Sequence, residues 1–132
     1  MQHGYYPRDP LQAAQCDELI EAVKDVHPKI FPHHFKDPSE RDTSDLFNNT
    51  LPKYLKVWDT QIGNKKYLVG DSWTIADFMV GSLYTDYFTN PDVYETENWA
   101  KVLSQFPNFK RYGEGFAAAN ADYLAERASR PL

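Results

Sequence analysis

The chain has 132 residues, ample for one domain and thin for two. A composition 42% hydrophobic and 15% aromatic supports a core, while a net charge of -5, with 14 Lys and Arg scattered in runs of at most two, argues against nucleic acid as a partner, since phosphate binding needs a clustered basic surface. No stretch reaches the roughly 18 apolar residues of a membrane span, the N-terminus lacks the basic flank and apolar run of a signal peptide, and a single cysteine, Cys16, excludes an internal disulfide and suits a reducing compartment, cytoplasm or mitochondrial matrix.

Residues 1–8 carry Gly4 and Pro7 and read as a linker. Asp9-Pro10 then opens a helix, with Asp as N-cap and Pro at the position where its missing N–H costs nothing. Leu11, Ala14, Leu19, Ala22, Val23, Val26 and Ile30 follow a helical period. Pro28 and Pro32 should bend or end the helix, because each removes a backbone donor. The polar stretch Lys36 to Thr43 reads as a loop. A second helix is expected from about Thr43 to Ile62, kinked at Pro52 and closed by Gly63-Asn64. Asn64 to Ser72 should be a loop that buries Tyr67-Leu68-Val69.

The stretch Gly70 to Phe78 encodes a helix start by two devices. Thr74 and Asp77 have the spacing of a capping box, and Trp73 and Phe78 that of a hydrophobic staple. Asp77 is read as a structural cap, not a catalytic carboxylate. The helix that follows, ending near Asn90-Pro91, is apolar nearly all round and should be buried. A short helix is expected around Trp99 to Gln105. Pro107 opens a last helical region, Asn108 to about Ser129, which Gly113 and Gly115 should weaken. With no convincing strand alternation, the fold class is all-α, a bundle of about five to six helices.

Several segments resemble the C-terminal helical domain of a glutathione transferase, closest to the sigma-like classes. They are GYYPRDPLQAAQCDELIEAVKDV, LPKYLKVWD, KKYLVGDSWTIADF and FPNFKRYGEGFAA, and their order and spacing match the family over nearly the whole chain. The resemblance makes residues 9–132 such a domain and residues 1–8 a remnant of the interdomain linker. Full-length members carry a thioredoxin-like domain that binds glutathione and activates its thiol. These 132 residues do not include one, so the chain is expected to begin at the domain junction, as a piece of a longer transferase or as an orphan domain.

What the resemblance implies for chemistry follows from that division. The helical domain would supply the apolar pocket for an electrophile and part of a dimer interface, with glutathione as co-substrate of the complete, detoxifying enzyme and no catalytic group on this chain. Asp25 would reach the α-amino group of glutathione in a partner subunit, a charge-assisted pair worth about 1–3 kcal/mol; the alternative is a solvated aspartate beside Lys24. His34, Phe35 and Tyr112 would line the electrophile pocket, with core packing the competing reading for the aromatics, including Tyr84, Tyr87 and Phe88. Tyr5 and Tyr6 lie in the linker and are not read as thiol-activating groups. No metal is expected: His33 and His34 are adjacent and no Cys lies near them. Expected partners are the thioredoxin-like domain and a second copy, as a homodimer or larger assembly. The other reading is a non-enzymatic scaffold or assembly subunit.

Overall fold

The computed structural model describes residues 5–122. Among them lie five α-helices and no strand: α1 (Pro10–Ile30), α2 (Leu51–Ile62), α3 (Ile75–Leu83), α4 (Thr96–Leu103) and α5 (Pro107–Ala119). The all-α expectation holds. Helix α1 packs chiefly on α3, and α2 on α5.

Asp9 caps α1 as its sequence implies, its side chain accepting the Gln12 N–H at 3.0 Å. Pro28 neither ends nor breaks α1. The carbonyl it leaves unpartnered within the helix belongs to the exposed Lys24, where water can take it. The chain tightens only at Pro32, into a 3₁₀ segment, Phe31–Phe35. Ahead of Pro52 the second helix widens into a π-turn, Leu46–Thr50, in which the Leu51 N–H reaches back to the Leu46 carbonyl. That wider turn answers a proline, whose ring would crowd the carbonyl four residues earlier. Gly63, at φ 53°, ends α2 in the left-handed half of backbone space.

The start of α3 is a junction of the whole fold. Asp77 is fully buried, and its Oδ2 accepts the Thr74 backbone N–H at 2.9 Å, closing a capping box with Thr74. Its Oδ1 accepts the Leu68 N–H at 3.1 Å and the Tyr112 hydroxyl at 2.7 Å. One carboxylate thus ties α3 to the preceding loop and to α5. Burial pushes its pKa up, opposed by these donors. Trp73 and Phe78 meet through a third ring: Phe116 of α5 makes edge contacts with both, at 5.7 and 6.1 Å. A second π-turn, Tyr84–Phe88, continues α3.

Helix α4 starts three residues earlier than expected, because Thr96, Glu97 and Asn98 form a polar first turn with no apolar signal. Its Trp99 is fully buried, ringed by Phe47, Tyr87, Phe88 and Tyr94 with centroids 4.9–5.9 Å away. These rings account for much of the aromatic content. Helix α5 takes its N-terminal cap from outside itself: Asp59 of α2 accepts the Phe109 N–H at 2.8 Å. The expected run to Ser129 is interrupted at Asn120, whose side chain donates to the Phe116 carbonyl at 2.9 Å. Residues 123–129 of that reading lie outside the described residues. Gly113 is no mere weak point, since a Cβ there would strike the Tyr84 ring.

Candidate functional site

Helix α3 is apolar on nearly every side, and the fold cannot cover all of it. Its Phe78 and Met79 remain half-buried while Ala76, Val80 and Leu83 are buried. The uncovered stripe faces α1 across a groove of about 410 Å³. Val23, Lys24, His27 and Pro28 form the α1 wall. Phe78, Met79, Ser82 and Leu83 form the other, extended by Asp86 and Tyr87 on the π-turn. On each wall the residues recur at helical spacing, so two adjacent helices present a continuous face.

The groove is apolar at its base and polar at its rim. Lys24 places its ammonium 3.3 Å from Glu21. His27 Nε2 lies 3.0 Å from the Tyr87 hydroxyl, and its ring stacks on the exposed Phe31 at 5.4 Å. Burial, then the charge of Asp86, pushes the Tyr87 hydroxyl up to about 12. The hydroxyl and the imidazole share one hydrogen bond, whose direction follows the imidazole tautomer.

The residues singled out in the sequence are scattered around this groove. Asp25 stands exposed on α1, with no hydrogen bond or ion pair among the described residues. His34 and Phe35 lie outside the groove on the 3₁₀ segment, where Phe35 is 72% exposed. Tyr112 lies in the core rather than on the groove between α1 and α3. It is 2% exposed, and its hydroxyl is spent on Asp77, which pushes its pKa further above an already burial-raised value. Tyr84 and Phe88 are core residues, and Cys16 is buried with its Sγ 3.5 Å from the Thr74 hydroxyl. Tyr6 donates to Asp17 at 2.9 Å, which raises its pKa. Among the described residues no group of His, Cys, Asp and Glu converges as a metal site. No described helix is long and apolar enough to cross a membrane.

His27, Met79, Ser82 and Leu83 were not singled out as groove residues from sequence, whereas Tyr87 was weighed between pocket edge and core. A signal for them was present: a helix apolar on all faces in a short chain must leave one face bare, and Met79, Leu83 and Tyr87 recur every four residues along it.

Comparison with known proteins fits this architecture. Residues 24–127 match the family described as glutathione S-transferase, C-terminal domain. Among curated proteins, the chain is similar to chicken (Gallus gallus) hematopoietic prostaglandin D synthase, 35% identical over 77 residues, 57% of this chain and 38% of that protein. It is also similar to the mouse (Mus musculus) and rat (Rattus norvegicus) proteins of the same name, each 33% identical over 70 residues, 52% of this chain and 35% of the relative. The matches thus span little more than a third of these relatives' length. With the family model covering most of the chain, and the helical fold and Thr74–Asp77 cap in place, this protein belongs to the family of glutathione S-transferase C-terminal domains.

Proposed function

We propose that this chain forms the electrophile-binding wall of a glutathione transferase, working with a thioredoxin-like domain that holds and ionises glutathione. The observation that supports it is the groove between α1 and α3, an apolar cleft of about 410 Å³ on a domain of this family. A thiolate needs an acceptor carbon held close and dry. The groove offers Val23, Phe78, Met79 and Leu83 to hold an apolar body. Asp25, exposed two residues from Val23, is free to meet the ammonium of glutathione in a partner subunit of a dimer. His34 and Phe35 would close the groove's far end once the second domain is present.

The test follows the Met79 methyl by ¹³C NMR while the chain is titrated with 1-chloro-2,4-dinitrobenzene. The Met79 resonance, assigned by its loss in Met79→Leu, should shift and saturate. No shift at saturating ligand would refute the reading. The second reading, a scaffold or assembly subunit, draws on Leu11 and Val57, 69% and 59% exposed. It requires a stable complex that survives Leu83→Trp, which would fill the groove.

A further inference from the structure

We infer that His33 is an acid-released catch: when its ring takes up a proton, the 3₁₀ segment Phe31–Phe35 and the loop to Thr43 come away from the start of α4. The device does not depend on what the groove binds. Arg41 is its centre, donating through Nε to the His33 carbonyl and through Nη2 to the Lys36 carbonyl, both at 2.9 Å. Its Nη1 lies 3.9 Å from Oε2 of Glu95, the residue before α4. Thr43 donates to the other Glu95 oxygen at 2.8 Å, and the Tyr94 hydroxyl to the Ile30 carbonyl at 2.7 Å. Glu95 sits at φ 49°, a strained backbone for a residue with a side chain. No residue of Phe31–Phe35 is buried, so polar bonds rather than apolar packing fasten the segment. Its release would carry off Phe31, whose ring stacks on His27 at 5.4 Å.

His33 is where acid would act on these contacts. Its Nδ1 is buried and has no hydrogen-bond partner among the described residues. A charged imidazole carries a proton on both ring nitrogens, whichever one held it before. Charging His33 in place therefore buries an N–H with nothing to accept it. The groups facing the ring offer no relief. Lys36 and Arg41 are cations. Asp42 already accepts the Ser44 N–H at 3.1 Å and the Ser44 hydroxyl at 2.7 Å. Glu95 is shared among Thr43, Asn98 and Arg41. The Tyr94 ring, 5.9 Å from that of His33, already carries the Arg41 guanidinium at 4.8 Å. Burial first, then Lys36 and Arg41, hold the His33 pKa below its usual value, in keeping with this geometry. A ring released to water binds its proton more readily than the fastened one, so acid favours release.

The experiment measures amide hydrogen exchange of residues 33–36 by NMR at pH 7.5 and 5.5, corrected for intrinsic rates, and follows the His33 ring by its ¹³Cε1 shift. A ring that regains an ordinary pKa of about 6.5 on release should make opening roughly 5–10-fold more frequent at the lower pH. Protection of residues 33–36 should fall by that factor. The ring midpoint should lie below about 6.5. Exchange should also be indifferent to urea below the unfolding range, the mark of a local opening. His33→Gln should abolish the pH dependence, and His34→Gln should keep it. A wild-type ring midpoint at or above about 6.5, or protection unchanged with pH, overturns the inference. So does a fall of the same size in His33→Gln. Residues 33–36 without protection at pH 7.5 were never fastened, which overturns it as well. Exchange that quickens with urea in step with a core amide such as that of Val80 makes the opening global and also overturns it.

Discussion

Gly113 and Gly115 stand two residues apart on α5 and should respond to alanine in opposite directions. At Gly115 an added Cβ meets nothing within 4 Å. Alanine there gains helix propensity, about 0.5–1 kcal/mol. At Gly113 the same atom would fall on the Tyr84 ring, 2.6 Å from its Cγ and nearer still to two edge carbons. Carbon atoms prefer about 3.5–4.0 Å, so the ring would have to move by roughly 1 Å. Tyr84 is 3% exposed and packs against Phe88 and Phe109, so it has nowhere to go. Overpacking of this kind costs about 1–3 kcal/mol. Gly113→Ala should therefore be less stable than Gly115→Ala by about 2–3 kcal/mol, or roughly 6–12 °C in Tm for a chain of this size. Gly81→Ala tests the reciprocal contact, where a Cβ would lie 2.5 Å from Phe116 Cδ1. Urea unfolding followed by Trp fluorescence, with unchanged m values, would measure all three. Equal stabilities for Gly113→Ala and Gly115→Ala would refute the close packing of the Tyr84–Phe88 turn on α5.

Asp77→Ala should cost more than the 0.5–2 kcal/mol of an ordinary cap, about 3 kcal/mol or more, because it orphans the Leu68 N–H and the Tyr112 hydroxyl as well; thermal melts would show it. The folded pKa of Asp77 is raised, so its stabilisation is present at acid pH and is lost as pH rises above about 4 through that raised value. The stability of the wild type minus that of Asp77→Asn should accordingly fall with rising pH. His33 behaves in the other sense: burial, then Lys36 and Arg41, lowers its pKa, so stability present above about 6.5 is lost on acidification. His33→Gln should flatten that dependence in denaturation series from pH 7.5 to 5. Arg41 donates to the carbonyls of His33 and Lys36, both at 2.9 Å, and lies 4.8 Å over the Tyr94 ring. Arg41→Lys cannot reproduce that fork and should destabilise by about 1–2 kcal/mol in urea titrations.

Local signals carried most of the fold. The Asp9-Pro10 start, the Gly63 stop and the Thr74–Asp77 cap each depend on chemistry within four residues, and each is legible from spacing alone. Features set by distant neighbours were not. The π-turn before Pro52 and the Asp59 cap on α5 need the partner helix to be known. Gly113 read as a weakness because propensity sees only its own helix, whereas its role is to admit Tyr84. Tyr112 was left between pocket edge and core for the same reason, since its hydroxyl partner lies 35 positions earlier in the chain. The groove was half legible. The apolar excess of α3 was visible, but which face stays bare depends on how α1 lies across it, so His27 and Tyr87 appear as a pair only in three dimensions.

Photoaffinity labelling tests the central claim most directly. The chain would be irradiated with an apolar benzophenone ketone at increasing concentration and its peptides mapped by mass spectrometry. Saturable labelling should fall on residues 23–28 and 78–87, the two walls of the groove. It should be displaced by 4-phenylbut-3-en-2-one. Labelling spread over α2, α4 and α5, or unaffected by the competitor, would contradict an electrophile site between α1 and α3.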